Sequence, residues 1–190
     1  MDRVEQLDVA LKEWDAVCRA LEDGRQILLL RKGGIHETDG RFTIEHPRFL
    51  LFPTFLHQNR EMLKASAHEA LTATTVEPEH VRISAMAQVT DLIELKSRQQ
   101  MDGLEDQHIW APPLIDIRFA YRPDRPLYLL LVRVFRLAQV HTVRNTPAYA
   151  GCKSWVPLDT PIDISQVFTA LSDEVYERRR AEIMRQLQEL

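Results

Sequence analysis

A chain of 190 residues that is 45% hydrophobic and 27% charged has enough apolar material to bury a core, which excludes an intrinsically disordered protein. Two cysteines, Cys18 and Cys152, are too few for a disulfide framework and fit cytosolic thiols. No apolar run approaches the roughly 18 residues of a membrane helix, and the acidic start, MDRVEQLDVALKEW, does not read as a signal peptide, so the expected location is the cytoplasm with no membrane partner.

Residues 4 to 12 read as a short amphipathic lead-in. From Glu13 to Leu21, Trp14, Ala16, Cys18 and Ala20 alternate with polar residues and predict a strand, while Leu7, Leu11, Trp14, Cys18 and Leu21 also fit a helical stripe over 6 to 21. Glu22-Asp23-Gly24 is a turn signal, and Gln26 to Lys32 predicts a central strand hairpinned to the first. Gly33-Gly34 and Thr38-Asp39-Gly40 are turns. Arg41 to Glu45 and Phe49 to Phe52 predict short strands, broken at His46-Pro47 because proline lacks a ladder donor.

Gln58 to Ala73 predicts a helix with Met62, Leu63, Ala67, Ala70 and Leu71 on one stripe and Asn59 as its cap. Val81 to Leu95 predicts a strand, followed by a helical stretch through Leu104. Leu114 to Tyr121 alternates, with Ile115, Ile117, Phe119 and Tyr121 on one side, and predicts a hairpin with Leu127 to Val140 across the turn Pro123-Asp124-Arg125-Pro126. A loop over 145 to 158 leads into a short strand near Trp155-Val156. A final helix over 164 to 190, capped by Asp163, is expected to be charged beyond Tyr176.

Charge is unevenly spread over a chain whose formal net charge is −4. Residues 118 to 153 hold seven basic residues (Arg118, Arg122, Arg125, Arg133, Arg136, Arg144, Lys153) against one acid, Asp124, and residues 25 to 60 hold six against three. Two basic segments in an acidic protein can present a basic face to phosphates, or can pair with acidic helices.

Four constellations carry chemistry. His36, Glu37, Glu45, His46 and His57 are of the types that ligate zinc, manganese or iron, but their spacing matches no ligand motif, so a divalent metal is not favoured and no metal ligand is assigned. Asp91, Glu94 and Lys96, with Glu77 or Glu79 upstream, resemble the acid-acid-lysine set of metal-dependent nucleases, or a solvated surface. Cys152 beside Lys153, with His141 as base, is a candidate nucleophile or a plain loop thiol. Arg31, Lys32, Arg48, Arg60, Arg133 and Lys153 can hold phosphates while Phe49, Phe52, Tyr149 and Trp155 stack on bases, or fill the core.

The strings LLLRKGGIHE, EHPRFLLFPTFLHQ and GCKSWV, covering the chain from Lys12 to about Leu158, resemble a prokaryotic family of domains of unknown function, DUF1802. That resemblance implies no activity and no catalytic residue. Residues 20 to 31, ALEDGRQILLLR, are similar to the opening of the ASCH and PUA-like barrels, which use a basic cleft for RNA or modified bases.

The expected fold is α+β: one domain with a mixed, mostly antiparallel sheet, open or partly closed as a PUA-like barrel, forming a core over 1–162 with a C-terminal helix over 163–190 packed on it. The expected function is binding of RNA, DNA or a nucleotide in a basic, histidine-containing pocket. Its binding set is Arg31, Lys32, Arg48, Arg60, Arg133, Lys153 and Trp155, and its catalytic candidates are His36, Glu45, His46 and His57. The alternatives are a metal-dependent phosphodiester or nucleotide hydrolase, and a non-catalytic assembly protein that forms homo-oligomers through the C-terminal helix.

Overall fold

Alternation starts earlier than expected. Leu7, Val9, Leu11 and Glu13 share one side of β1 (Gln6–Trp14), with Leu11 and Glu13 buried. The computed structural model describes residues 5–32, 35–38, 41–71, 74, 76–151 and 153–188, with backbone alone at 35–38 and 41–43. The segment expected as the first arm of a hairpin, 13–21, is instead mostly the helix α1 (Asp15–Glu22). Alanines 16 and 20 favour helix, Asp15 sits in the first turn, and its carboxylate meets the Arg19 guanidinium at 2.9 Å. Val17, Cys18 and Leu21 then face the core, as the helical stripe required. The helix stops at Gly24, whose φ of +67° suits glycine, and the Gly24 and Arg25 amides donate back to Leu21 and Ala20 at 3.1 and 2.8 Å.

Strand β2 (Leu28–Arg31) is buried throughout, but it ends the sheet instead of occupying its centre, and it pairs with a late strand rather than with residues 13–21. β3 (Ile35–Thr38) and β4 (Arg41–Ile44) form a separate two-stranded ribbon. β5 (Arg48–Thr54) and β6 (His80–Leu95) lie where alternation placed them, and the break at 45–47 falls on His46-Pro47. The turns at Gly33-Gly34 and Asp39-Gly40 lie outside the described residues.

Between β5 and β6 the expected helix over 58–73 is two short 3₁₀ segments, Arg60–Met62 and Ala65–Ala70. Asn59 does cap the first, accepting from the Glu61 amide at 2.9 Å. Tertiary bonds then take over: Lys64 donates to the Ile109 carbonyl at 2.8 Å, and Ala111 donates to Met62 at 2.9 Å. Leu63 is drawn into an extended bridge with Trp110, which a continuous helix would forbid.

After α2 (Gln99–Asp102), residues 114–121 form not a strand but most of α3 (Pro112–Ala120). Pro112 and Pro113 occupy the first helical positions, where a missing N–H costs nothing, and Leu114 and Ile115 turn inward together. Without that arm, β7 (Leu127–Arg144) pairs with β6 on one side and β2 on the other. β8 (Trp155–Asp163) pairs with β1 and β9 (Val167–Thr169) with β7. The expected helix over 164–190 begins only at α4 (Asp173–Gln188), with the Ser172 hydroxyl accepting from the Val175 amide at 3.3 Å. Asp163 instead ends β8 and receives the Ser165 amide.

The seven-stranded sheet runs β2-β7-β6-β5-β1-β8, with β9 on β7. Every pair is antiparallel except β1 with β5. The sheet is mixed, mostly antiparallel and open, as the α+β class requires; β2 and β8 end it and do not close a barrel. One face packs Leu28 and Leu131 in the same core cluster as Tyr176, Ile183 and Leu187 of α4. The other face packs Leu50, Phe52, Ile83 and Val156. No helix among the described residues is long and apolar enough to cross a membrane.

Candidate functional site

Arg31 closes β2 opposite Tyr128 in β7, so the end of β2 and the start of β7 lie at one end of the sheet. The last turn of α3 and Ser154, just before β8, line a concavity with them. This concavity, about 210 Å³, is lined by Arg31, Lys32, Arg118, Arg122 and Arg125, together with Tyr121 and Ser154, and by no acid among the described residues.

The five cations are held differently. Arg31 is buried and donates to the Glu13 carboxylate at 2.8 Å; burial pulls the guanidinium below its ordinary value, Glu13 opposes the fall, and the Arg118 charge adds to it. Lys32 donates to the Phe119 and Arg122 carbonyls at 3.1 and 3.2 Å, so its ammonium is positioned without being neutralised. Arg122 stands in the left-handed region, φ 47°, with its guanidinium 5.2 Å from the Tyr121 ring centroid. Among the described residues, Lys32, Arg118, Arg122 and Arg125 form no ion pair with a carboxylate.

Two further concavities adjoin. An apolar groove of about 380 Å³ shares Arg118 and Tyr121 with the basic cavity and is walled by Trp14, Met62, Leu114 and Ile117. Ile117 and Tyr121 on its rim are 52% and 54% exposed and one turn apart. The groove then shares Trp14 and His57 with a cleft of about 630 Å³ that reaches Lys12, Phe52, Thr146 and Tyr149. His57 has φ 72°, a conformation uncommon for a non-glycine residue and enriched at functional sites. Its loop is held by Glu77, whose carboxylate accepts from the Phe55 amide at 3.0 and 3.1 Å and from Leu56 at 2.8 Å.

Of the expected binding set, Arg31 and Lys32 enter the basic cavity and the rest lie elsewhere. Arg48 pairs with Glu5. Arg133 pairs with Asp173 and lies 5.8 and 5.4 Å from the Phe135 and Tyr176 ring centroids. Arg60 and Lys153 are exposed, outside the three concavities. Trp155 packs edge-on against Phe49 at 5.2 Å and His46 at 5.0 Å, which brings the early histidine segment against the late loop. His46 lies 3.6 Å from Glu45. The His36 and Glu37 side chains, and Cys152, lie outside the described residues.

The acids of the nuclease-like set are already engaged. Asp91 binds Arg180 through two 2.6 Å hydrogen bonds, and Glu94 meets Lys96 at 2.7 Å. Among the described residues, no group of three or more His, Cys, Asp or Glu is placed to hold a metal.

Sequence reasoning passed over Arg118, Arg122, Arg125, Trp14 and Tyr121. The signal was the basic excess over 118 to 153. On a strand, Asp116, Arg118 and Arg122 would share a side and partly cancel. On the helix, Asp116 turns to Arg98 at 2.7 Å, while Arg118 and Tyr121, three residues apart, face the cavity together.

Comparison with known proteins adds a family and a distant structural likeness. The family described as Domain of unknown function (DUF1802) matches residues 10–182. A solved structure of a mutant ZmASCH protein from Zymomonas mobilis is similar over 92% of this chain and 94% of that one, with 8% identity and a TM-score of 0.42. No curated protein matches the sequence.

Proposed function

The chain belongs to the DUF1802 family, and since that description carries no activity we propose a function from the surface itself: this is a nucleic-acid-binding protein that holds phosphates in the basic cavity. The observation that carries the reading is the set of four cations, Lys32, Arg118, Arg122 and Arg125, converging on one concavity with no carboxylate among the described residues to neutralise them. Holding like charges together costs free energy, which an incoming polyanion offsets through charge-assisted bonds and counterion release. Arginine forks suit phosphate oxygens in two-point contact, and the exposed Tyr121 beside them offers a face for a base.

Fluorescence anisotropy with single-stranded RNA and DNA across a salt series tests this. Binding should weaken linearly in log–log form. The pair Arg122→Asn and Arg125→Ser alters two exposed side chains, asparagine being tolerated at a positive φ. It should lower the slope by roughly 0.7 for each lost phosphate contact. Binding that is absent, or indifferent to salt, rejects the reading.

A further inference from the structure

We propose that the groove takes a single strand of nucleic acid with one unpaired base seated in the cleft beside Trp14, an inference that rests on the phosphate-binding reading above.

Continuity comes first. Arg118 and Tyr121 belong to both the basic cavity and the apolar groove, and Trp14 and His57 belong to both the groove and the cleft. The three form one path that starts among cations, crosses hydrocarbon and aromatic surface, and ends in a recess. A nucleic-acid strand offers the matching succession: charged phosphate, then sugar, then the flat face of a base.

The recess has the chemistry of a base site and not of a phosphate site. Its volume, about 630 Å³, lies within the range of small-ligand pockets. Phe52 and Tyr149, buried and set edge to face at 5.9 Å, form its floor, and the half-buried Trp14 is the aromatic side chain on its wall that can meet a base. Its one cationic side chain with a fixed charge, Lys12, points its ammonium at the Tyr149 and Gly151 carbonyls. The carboxylates of Glu77 and Glu79 lie on its wall and repel phosphate.

That geometry selects against a duplex. A paired base is stacked on both faces and has its Watson–Crick edge occupied, so it enters a recess only after leaving the helix, at a cost of a few kcal/mol. An unpaired base enters without that cost. His57, at the boundary between groove and recess, marks where the strand turns inward.

The experiment uses the full chain and three probes on one labelled backbone: a single strand, the same strand annealed to its complement, and the same strand with abasic positions. The single strand should bind about tenfold more tightly than the duplex, and the abasic strand should lose about the same factor while keeping its salt slope. Trp14→Ala should weaken single-strand binding by about tenfold and leave duplex binding unchanged. Because the abasic probe alters the ligand alone, the outcome does not depend on a variant folding. Equal affinity for all three probes, with a normal salt slope, overturns the seated base and leaves phosphate binding intact. Salt-dependent binding to none of the three overturns both.

Discussion

Replacing Glu13 by glutamine keeps the shape of the side chain and removes the counter-charge of Arg31. Both side chains are almost sealed from solvent, at 6% and 7% exposure, and Arg31 Nη2 lies 2.8 Å from Glu13 Oε2. The other carboxylate oxygen accepts the Trp14 amide at 2.9 Å, so the carboxylate also fixes the start of α1. In the variant, Arg31 would stay charged with only the Leu30 and Lys12 carbonyls, both at 3.3 Å, and with the like charge of Arg118 close by. Stranding a buried charge costs about 3–5 kcal/mol, a fall in melting temperature of roughly 10 °C for a chain of this size. Urea unfolding followed by circular dichroism measures it. The companion pair Glu13→Leu with Arg31→Met replaces the ions by hydrocarbon and should recover stability to within about 1 kcal/mol of the parent. If Glu13→Gln alone loses less than about 1 kcal/mol, water screens the pair and the reasoning about Arg31 fails.

Three further outcomes are expected. Burial, with the nearby Lys64 charge, holds the His108 imidazole down to about 4; the native state therefore binds fewer protons than the unfolded chain between its pKa and about 6.5, and about 3 kcal/mol of stability present above that window is lost as pH falls through it. His108→Phe should flatten that part of the urea-midpoint profile, and an unchanged profile would contradict the assignment. Gly24→Ala places a methyl 2.4 Å from the Leu171 side chain at a positive φ, and should lower the melting temperature by several degrees, about 2 kcal/mol. Ile183→Ala, at a fully buried position in α4, should cost about 2–4 kcal/mol in urea unfolding, whereas a projecting helix would lose almost nothing.

The long, strongly patterned elements were legible in the sequence. β6 and β7 alternate or run apolar over many residues, and only a sheet uses such segments. Short segments were not legible, because two periods fit them equally. Residues 13–21 and 114–121 alternate, yet each becomes helical once its neighbours are counted: Asp15 with Arg19 in the first, Pro112-Pro113 in the second. The reverse error over 58–73 has a tertiary cause, since hydrogen bonds to Ile109 and Ala111 interrupt a stripe that local pattern supports. For the site, charge count along the chain located the basic segment, but which arginines remain unneutralised depends on partners far away in sequence. Arg133 meets Asp173 forty residues on, and Arg48 meets Glu5 forty-three residues back. Among the described residues Arg118 and Arg122 meet no acid, a property of the assembled surface.

The place of β1 between two later strands has a consequence for biogenesis. β1 leaves the ribosome before both of its neighbours, residues 48–54 on one side and 155–163 on the other. Until residues 155–163 have emerged, Leu11 and Ala10 border an open ladder on one side, on a nascent chain long enough to collapse. Such late closure between distant segments slows folding and prolongs the exposure of sticky backbone. Appending the chain behind a stalled, truncated message that stops before Trp155 should therefore leave β1 open to proteases, while release of the full sequence should shield it.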